Sequence, residues 1–373
     1  MLDGLLREGA ARVPGTSLTF VDDAGGQTRT TTGALLGHAE RFAATLRRAG
    51  LRPGEVLAVR GSGTAEIVTV LVAGLLGGFT VVPVLHTLGP ADVEAIVADS
   101  GARVLVSLQS WHRRDYAAEL AALDARCAVV VVPRSGPDLG GVVLPGLPRA
   151  VGEPVRGAAC VVYSSGTTGR PKGVVHTGGS LSAEASDSGG AAVPPALIEE
   201  ADRRGLMVFR AYGSSEHPTV TGPPEPPTLA AREGTDGRPT RGSAVRIDGG
   251  EIVVRGPEQF AGYLHGAPLD AGGWFRTGDL GHLDADGNLV VTGRLTEILI
   301  RGGENISLAE VEQALRVHPD IVDAALLPVP DDRSWPRCRA PTSANSGGPT
   351  WRTSPRSTPG EDVVEVDQPS EPS

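Results

Sequence analysis

Lysine is almost missing from this chain: of its 34 basic residues only Lys172 is not an arginine. Cysteine is nearly as scarce. Cys127, Cys160 and Cys338 show neither metal-ligand spacing nor the pairing pattern of a disulfide framework. A net charge of -10 and a pI near 5.3 argue against a nucleic-acid binder, whose phosphate contacts need a basic surface. No long apolar segment opens the chain. "MLDGLLREGA" carries Asp3 and Glu8, so no signal peptide is expected. One uncharged run, residues 67–85, approaches the length of a membrane span. Gly74, Gly77, Gly78 and Pro83 interrupt it, and it reads as a buried helix followed by a buried strand. These absences point to a soluble, cytoplasmic protein without a membrane span.

What is present supports a packed α/β fold. A length of 373 residues allows two domains, and 40% hydrophobic content is enough for a core. Leu35, Ala39, Phe42, Ala43 and Leu46 recur at helical spacing, and Gly50 stops that helix. Strands are expected at 55–60, 79–85, 103–108 and 127–132. Helices are expected at 65–76, 91–99 and 114–123. Apolar strands alternating with helices imply a parallel sheet covered on both faces. Residues 134–156, rich in proline and glycine, read as a linker within the domain.

A further strand, 158–165, runs into "YSSGTTGRPKG" at 163–173. This loop departs from the Walker pattern: counted from Gly166, its sixth position is Pro171, and Gly173 follows the lysine. Its chemistry still suits a polyphosphate. Glycines free backbone N–H groups, Ser164, Ser165, Thr167 and Thr168 supply hydroxyls, and Lys172 supplies an ammonium.

Further along lie "SGGAAVP" (188–194), "AYGSSEHP" (211–218), "GWFRTGDLG" (273–281) and "GRLTEILIRGGENISLAEVEQAL" (293–315). With the loop, in this order, they resemble the motifs of the adenylate-forming superfamily, the AMP-dependent acyl-CoA synthetases and ligases. The resemblance covers roughly residues 5–186 and 188–332. The "SSEHP" run and the "ENIS" segment look most like ligases of fatty or alicyclic acids.

The resemblance implies an α/β fold, with a large adenylation domain over 1–294 and a small α+β domain from 295. It implies a two-step reaction that joins a carboxylic acid to CoA through an acyl-adenylate, using ATP and Mg2+. By the same resemblance Lys172, Gly166 and Gly169 belong to the β- and γ-phosphate grip. Gly190 and Ala191 line the adenine pocket, and Tyr212, followed by Gly213, stacks on adenine. Ser215 contacts the α-phosphate, Glu216 positions Mg2+, Asp279 accepts from the ribose hydroxyls, and Arg294 reaches ribose or phosphate. Taken singly, Asp279 is also what a turn would use, and Glu216 or Arg294 could be solvated charges. His217 reads as a packing or capping residue. Ser307 and Glu310 form a capping box for a helix whose buried stripe would be Leu308, Val311 and Leu315.

Four departures from the family pattern stand out. Only 39 residues separate Lys172 from Tyr212, where relatives carry roughly a hundred more, on the order of a small domain. The join falls near Asp187–Ser188, and much of the acid pocket would go with the gap. Family-like text then stops near Arg333. Residues 334–373 are rich in Pro, Ser and Arg with no hydrophobic period, and disorder is expected there. No lysine follows Lys172, so the family's second lysine has no counterpart, and Thr296 stands at the hinge position. Three outcomes are open: an acid–CoA ligase, an inactive nucleotide-binding remnant of one, or a non-functional product that does not fold stably. Oligomeric state leaves no trace in the sequence.

Overall fold

The computed structural model describes residues 2–22, 25–112, 114–121, 127–148, 157–164, 171–183, 195–266, 269, 272–295, 298–301 and 304–307. Beyond these it describes 311, 315, 326, 328–329, 337–338, 352–353 and 364–365. The chain divides into two compact units, one of residues 1–190, 213–219 and 256–273, the other of 191–212, 220–255 and 274–373.

The first unit is built on a seven-stranded sheet. Across it the order is Gly262–Tyr263, Lys172–Thr177, Ala158–Ser164, Thr80–Leu85, Val56–Gly61, Val104–Leu108 and Ala128–Val132. The five strands from Ala158–Ser164 to Ala128–Val132 run parallel to one another, while Lys172–Thr177 pairs antiparallel with Ala158–Ser164 on one side and with Gly262–Tyr263 on the other. The alternation expected from the sequence is thus present. Its helices run Ala65–Gly77, Pro90–Ser100 and Tyr116–Ala121. The last starts two residues later than expected because the Asp115 carboxylate takes the Ala118 N–H and caps it there.

Both sheet faces are covered, as continuous apolar strands require. Leu57, Val59, Val104 and Val106 pack on one side with Phe42, Leu46 and Val70. Val56, Ala58, Val82, Val84 and Leu105 pack on the other with Val93 and Ile96. Helix Thr32–Arg48 buries Leu35, Ala39, Phe42, Ala43 and Leu46, the five residues of the sequence stripe, and Thr31 caps it through the Ala34 N–H. Residues 67–85 form most of helix Ala65–Gly77 and the strand Thr80–Leu85. No helix among the described residues is long and apolar enough to cross a membrane.

The second unit holds a four-stranded antiparallel sheet in the order Ala244–Asp248, Glu251–Arg255, Phe275–Leu283 and Leu289–Arg294. Its first hairpin turns on Gly249 (φ 61°) and Gly250 (φ 90°), left-handed positions that a two-residue turn needs and glycine adopts without strain. Val220, Ile252, Val254 and Leu289 form the core on one face. Ile298–Arg301 and Glu304–Ser307 form a separate hairpin. Ser307 is therefore a strand residue, Val311 is exposed and Leu315 half-buried. The described part of the expected stripe is not a buried one, because no described element covers Val311. Leu308, Glu310 and Thr296 lie outside the described residues. Of the tail, only 337–338, 352–353 and 364–365 are described, each in a two-residue strand; the rest of the disorder expectation lies outside them.

Candidate active site

The glycine-rich loop is the connection of a β-hairpin. Strands Ala158–Ser164 and Lys172–Thr177 run antiparallel, and Ser164 and Lys172 are register partners at the end next to the loop. The strand that enters the loop was legible in the sequence. The lysine's place as the first residue of the returning strand was not. Ser165, Gly166, Thr167, Thr168 and Gly169 lie outside the described residues, as do Gly190 and Ala191.

Lys172 is exposed, and its ammonium sits 5.8 Å from the ring centroid of Tyr263, within cation–π range. Tyr263 belongs to the short edge strand that pairs with Val174 and Val175. Its hydroxyl donates to Glu216 Oε1 at 2.9 Å. Burial pushes the Tyr263 phenol well above its usual range and the Glu216 carboxylate adds to this, so the hydroxyl stays a donor.

Glu216 is held by its backbone as well. Its carbonyl accepts the Phe260 N–H at 2.8 Å, and its own N–H donates to Ser214 Oγ at 3.2 Å. Ser214 and His217 exchange backbone hydrogen bonds and close a tight turn. Gly213 is required at its base, since a Cβ there would run into the Pro218 carbonyl. The Ser215 carbonyl can only accept, so His176 Nε2, 2.7 Å away, carries the proton. His176 Nδ1 then faces Ser180 Oγ at 3.4 Å as the acceptor.

His217 is fully buried, in keeping with a packing role. Burial lowers its pKa to about 4, and the nearby His176 adds to the effect. A folded-state value below the ordinary 6.5 means that the unfolded chain binds the proton more readily. Stability is therefore expected to be intact above pH 6.5 and to fall as the pH drops toward 4, by up to about 3 kcal/mol from this residue. Denaturant melts across that range should flatten in His217→Phe.

The second unit carries a different cluster. Asp279 on the strand Phe275–Leu283 is the register partner of Arg294 at the end of the strand Leu289–Arg294. Asp279 is buried; Oδ1 accepts from Arg294 Nε at 2.6 Å and Oδ2 from the Tyr212 hydroxyl at 2.6 Å. Burial first, then the Asp279 charge, drives the Tyr212 phenol far above its usual range and keeps it a donor. Tyr212 also packs against the core of Val220, Ile252, Val254 and Leu289. A carboxylate has about four lone-pair sites, so Asp279 keeps acceptor capacity for two further hydroxyls.

Glu216 fits Mg2+ in kind. Oε2 has no hydrogen-bond partner among the described residues, and Mg2+ is commonly held by one or two carboxylates together with substrate phosphates. Among the described residues no group of three or more His, Cys, Asp or Glu could hold a metal by itself.

A glycine-rich hairpin loop ending in a lysine, on an α/β sheet, is the feature that comparison with known proteins bears on. Residues 6–188 match the family model of the AMP-binding enzymes. An indoleacetate–CoA ligase of Aromatoleum aromaticum is 38% identical over 39% of this chain and 32% of its own length. A 2-succinylbenzoate–CoA ligase of Bacillus licheniformis is 36% identical over 39% of this chain and 34% of its own length. These matches thus span about a third of those relatives. A feruloyl-CoA synthase of Amycolatopsis sp. is 27% identical over 87% of this chain and 83% of its own length. That alignment runs to 429 positions, about a hundred more than 87% of 373 residues can fill.

Among solved structures, the o-succinylbenzoate coenzyme A synthetase of Bacillus subtilis in complex with AMP superposes with a TM-score of 0.69. It is 22% identical, over 91% of this chain and 89% of that one. The anthranilate CoA ligase AuaEII in complex with anthranoyl-AMP gives 0.73 at 19% identity, over 92% and 88%. At these identities the structural likeness speaks for the fold alone: a mixed α/β fold shared with these synthetases.

Proposed function

We propose that the chain is an AMP-forming acid–CoA ligase. The carrying observation is that the segment matching the AMP-binding enzyme family, residues 6–188, contains the loop closed by Ser164 and Lys172. A carboxylate oxygen of the acid attacks the α-phosphorus of ATP and a new O–P bond forms. The bond from that phosphorus to the bridging oxygen breaks, and pyrophosphate leaves. The CoA thiolate then attacks the acyl carbon and AMP departs.

Anion meets anion in the first step, so charge neutralisation and in-line alignment are the main tasks. Ser164, Ser165, Gly166, Thr167, Thr168, Gly169 and Lys172 take the β- and γ-phosphates, and Ser215 the α-phosphate. Glu216 holds Mg2+, whose charge offsets that of the phosphates. Asp279 takes the ribose hydroxyls, with Arg294 and Tyr212 fixing its two oxygens; Gly190, Ala191 and the Tyr212 ring take adenine. We place the missing stretch of the feruloyl-CoA synthase alignment at Asp187–Ser188 and the boundary of the small domain at 294–295.

The relatives named above act, by their names, on indoleacetate, 2-succinylbenzoate and ferulate, all aromatic acids. An aromatic carboxylic acid therefore leads for this chain, ahead of the fatty and alicyclic acids that the "SSEHP" run favours. The test is acid-dependent exchange of pyrophosphate into ATP, run with those three acids beside a fatty and a cyclohexane carboxylate. Exchange should be stimulated by aromatic acids. A chain that binds ATP yet shows no exchange with any acid would instead be a nucleotide-binding remnant.

A further inference from the structure

Tyr263 stands outside every motif quoted from the sequence, yet two groups assigned to the polyphosphate meet on its side chain. Its hydroxyl donates to Glu216 Oε1 at 2.9 Å, and the Lys172 ammonium lies 5.8 Å from its ring centroid. The ring is itself braced. Phe260 packs edge-on with centroids 5.1 Å apart, and the backbone on either side is tied to the lysine strand. Ala261 N–H donates to the Val175 carbonyl and Leu264 N–H to the Gly173 carbonyl, both at 2.7 Å. Phe260 N–H also donates to the Glu216 carbonyl, so the segment that carries Tyr263 fixes Glu216 at both its backbone and its carboxylate.

The chemistry of this contact is selective. A carboxylate that holds Mg2+ through one oxygen needs its other oxygen fixed, or it rotates between binding and non-binding positions. A neutral hydroxyl does this without adding charge; a lysine or arginine in its place would cancel the negative charge the metal requires. Donors of this kind, one step removed from a metal, typically change metal affinity by about 10–100-fold when lost. On the other side, the electron-rich face of the ring attracts the ammonium and restrains a long, exposed side chain.

We propose that Tyr263 is the positioning residue of the polyphosphate site: its hydroxyl fixes Glu216 for the metal of a metal–triphosphate, and its ring steadies Lys172. The inference rests on the ligase reading. It separates two effects carried by two parts of one side chain.

The experiment is equilibrium binding of a non-hydrolysable ATP analogue by calorimetry, with and without Mg2+, to the full chain and its variants. Tyr263→Phe removes only the oxygen. It should weaken binding in Mg2+ by about 10–100-fold and leave metal-free binding unchanged. Tyr263→Leu removes the ring too and should cost metal-free binding a further factor of about 2–5. In a Glu216→Gln background, where the carboxylate is already lost, Tyr263→Phe should change nothing. If Tyr263→Phe lowers metal-free and metal-bound affinity together, the tyrosine is merely structural and the inference is overturned. A Tyr263→Phe effect that persists undiminished in Glu216→Gln overturns it too. If the wild-type chain binds the analogue in neither condition, the ligase reading falls and takes the inference with it. If wild type binds and Tyr263→Phe matches it throughout, the inference alone falls.

Discussion

Lys172→Ala is expected to lower acid-dependent ATP–pyrophosphate exchange by about 10²–10³-fold, the usual loss when one electrostatic group aimed at developing charge is removed. Pyrophosphate departs with growing negative charge, and Lys172 is the single ammonium side chain that the sequence offers for it. Arginine in its place should recover only part of the rate, because a planar fork does not reproduce a compact point charge. The scarcity of lysine gives a second, independent readout. A lysine-directed acylating reagent can modify one side chain in the whole protein besides the N-terminus. ATP should protect that position, as followed by the mass of the peptide that contains it. Labelling at the same rate with and without saturating ATP would remove Lys172 from the phosphate site.

Asp279→Ala should weaken AMP binding by about a hundredfold, as expected for losing charge-assisted hydrogen bonds to two ribose hydroxyls. The substitution has a structural cost as well, since the half-buried Tyr212 hydroxyl loses its acceptor, worth roughly 1–3 kcal/mol. The two effects can be read separately by comparing AMP with its 2′,3′-dideoxy analogue. Asp279→Asn keeps one acceptor oxygen and should discriminate less between the two nucleotides than the wild type. An equal loss for both nucleotides would assign Asp279 to the Tyr212–Arg294 network alone and take it out of ribose recognition.

How much of this could be read from the residues in order depends on the range of the interaction. The buried face of helix Thr32–Arg48 was legible because one period of 3.6 residues carries it, and the five apolar positions that fit the period are the five that are buried. The strand–helix alternation of the first unit was legible for the same reason: continuous apolar strands between amphipathic helices leave few alternatives to a parallel sheet. The loop at 163–173 and the later motifs were legible as spellings, each a short run with its own chemistry.

The helix stripe expected at Leu308, Val311 and Leu315 shows where a local period falls short. Spacing can say which positions share a face, but burial needs a second surface, and Val311 is exposed. Register across strands and the meeting of distant side chains escape local patterns altogether. Ser164 faces Lys172 because the strands that carry them pair antiparallel, a register that no local period specifies. Tyr263 reaches Glu216 from 47 residues away, and Tyr212 reaches Asp279 from 67. The order of residues was enough for the α/β class and for the spelling of the motifs. Which residues hold one another depended on the fold, because a hydrogen bond forms between groups brought within about 3 Å, whatever their separation along the chain.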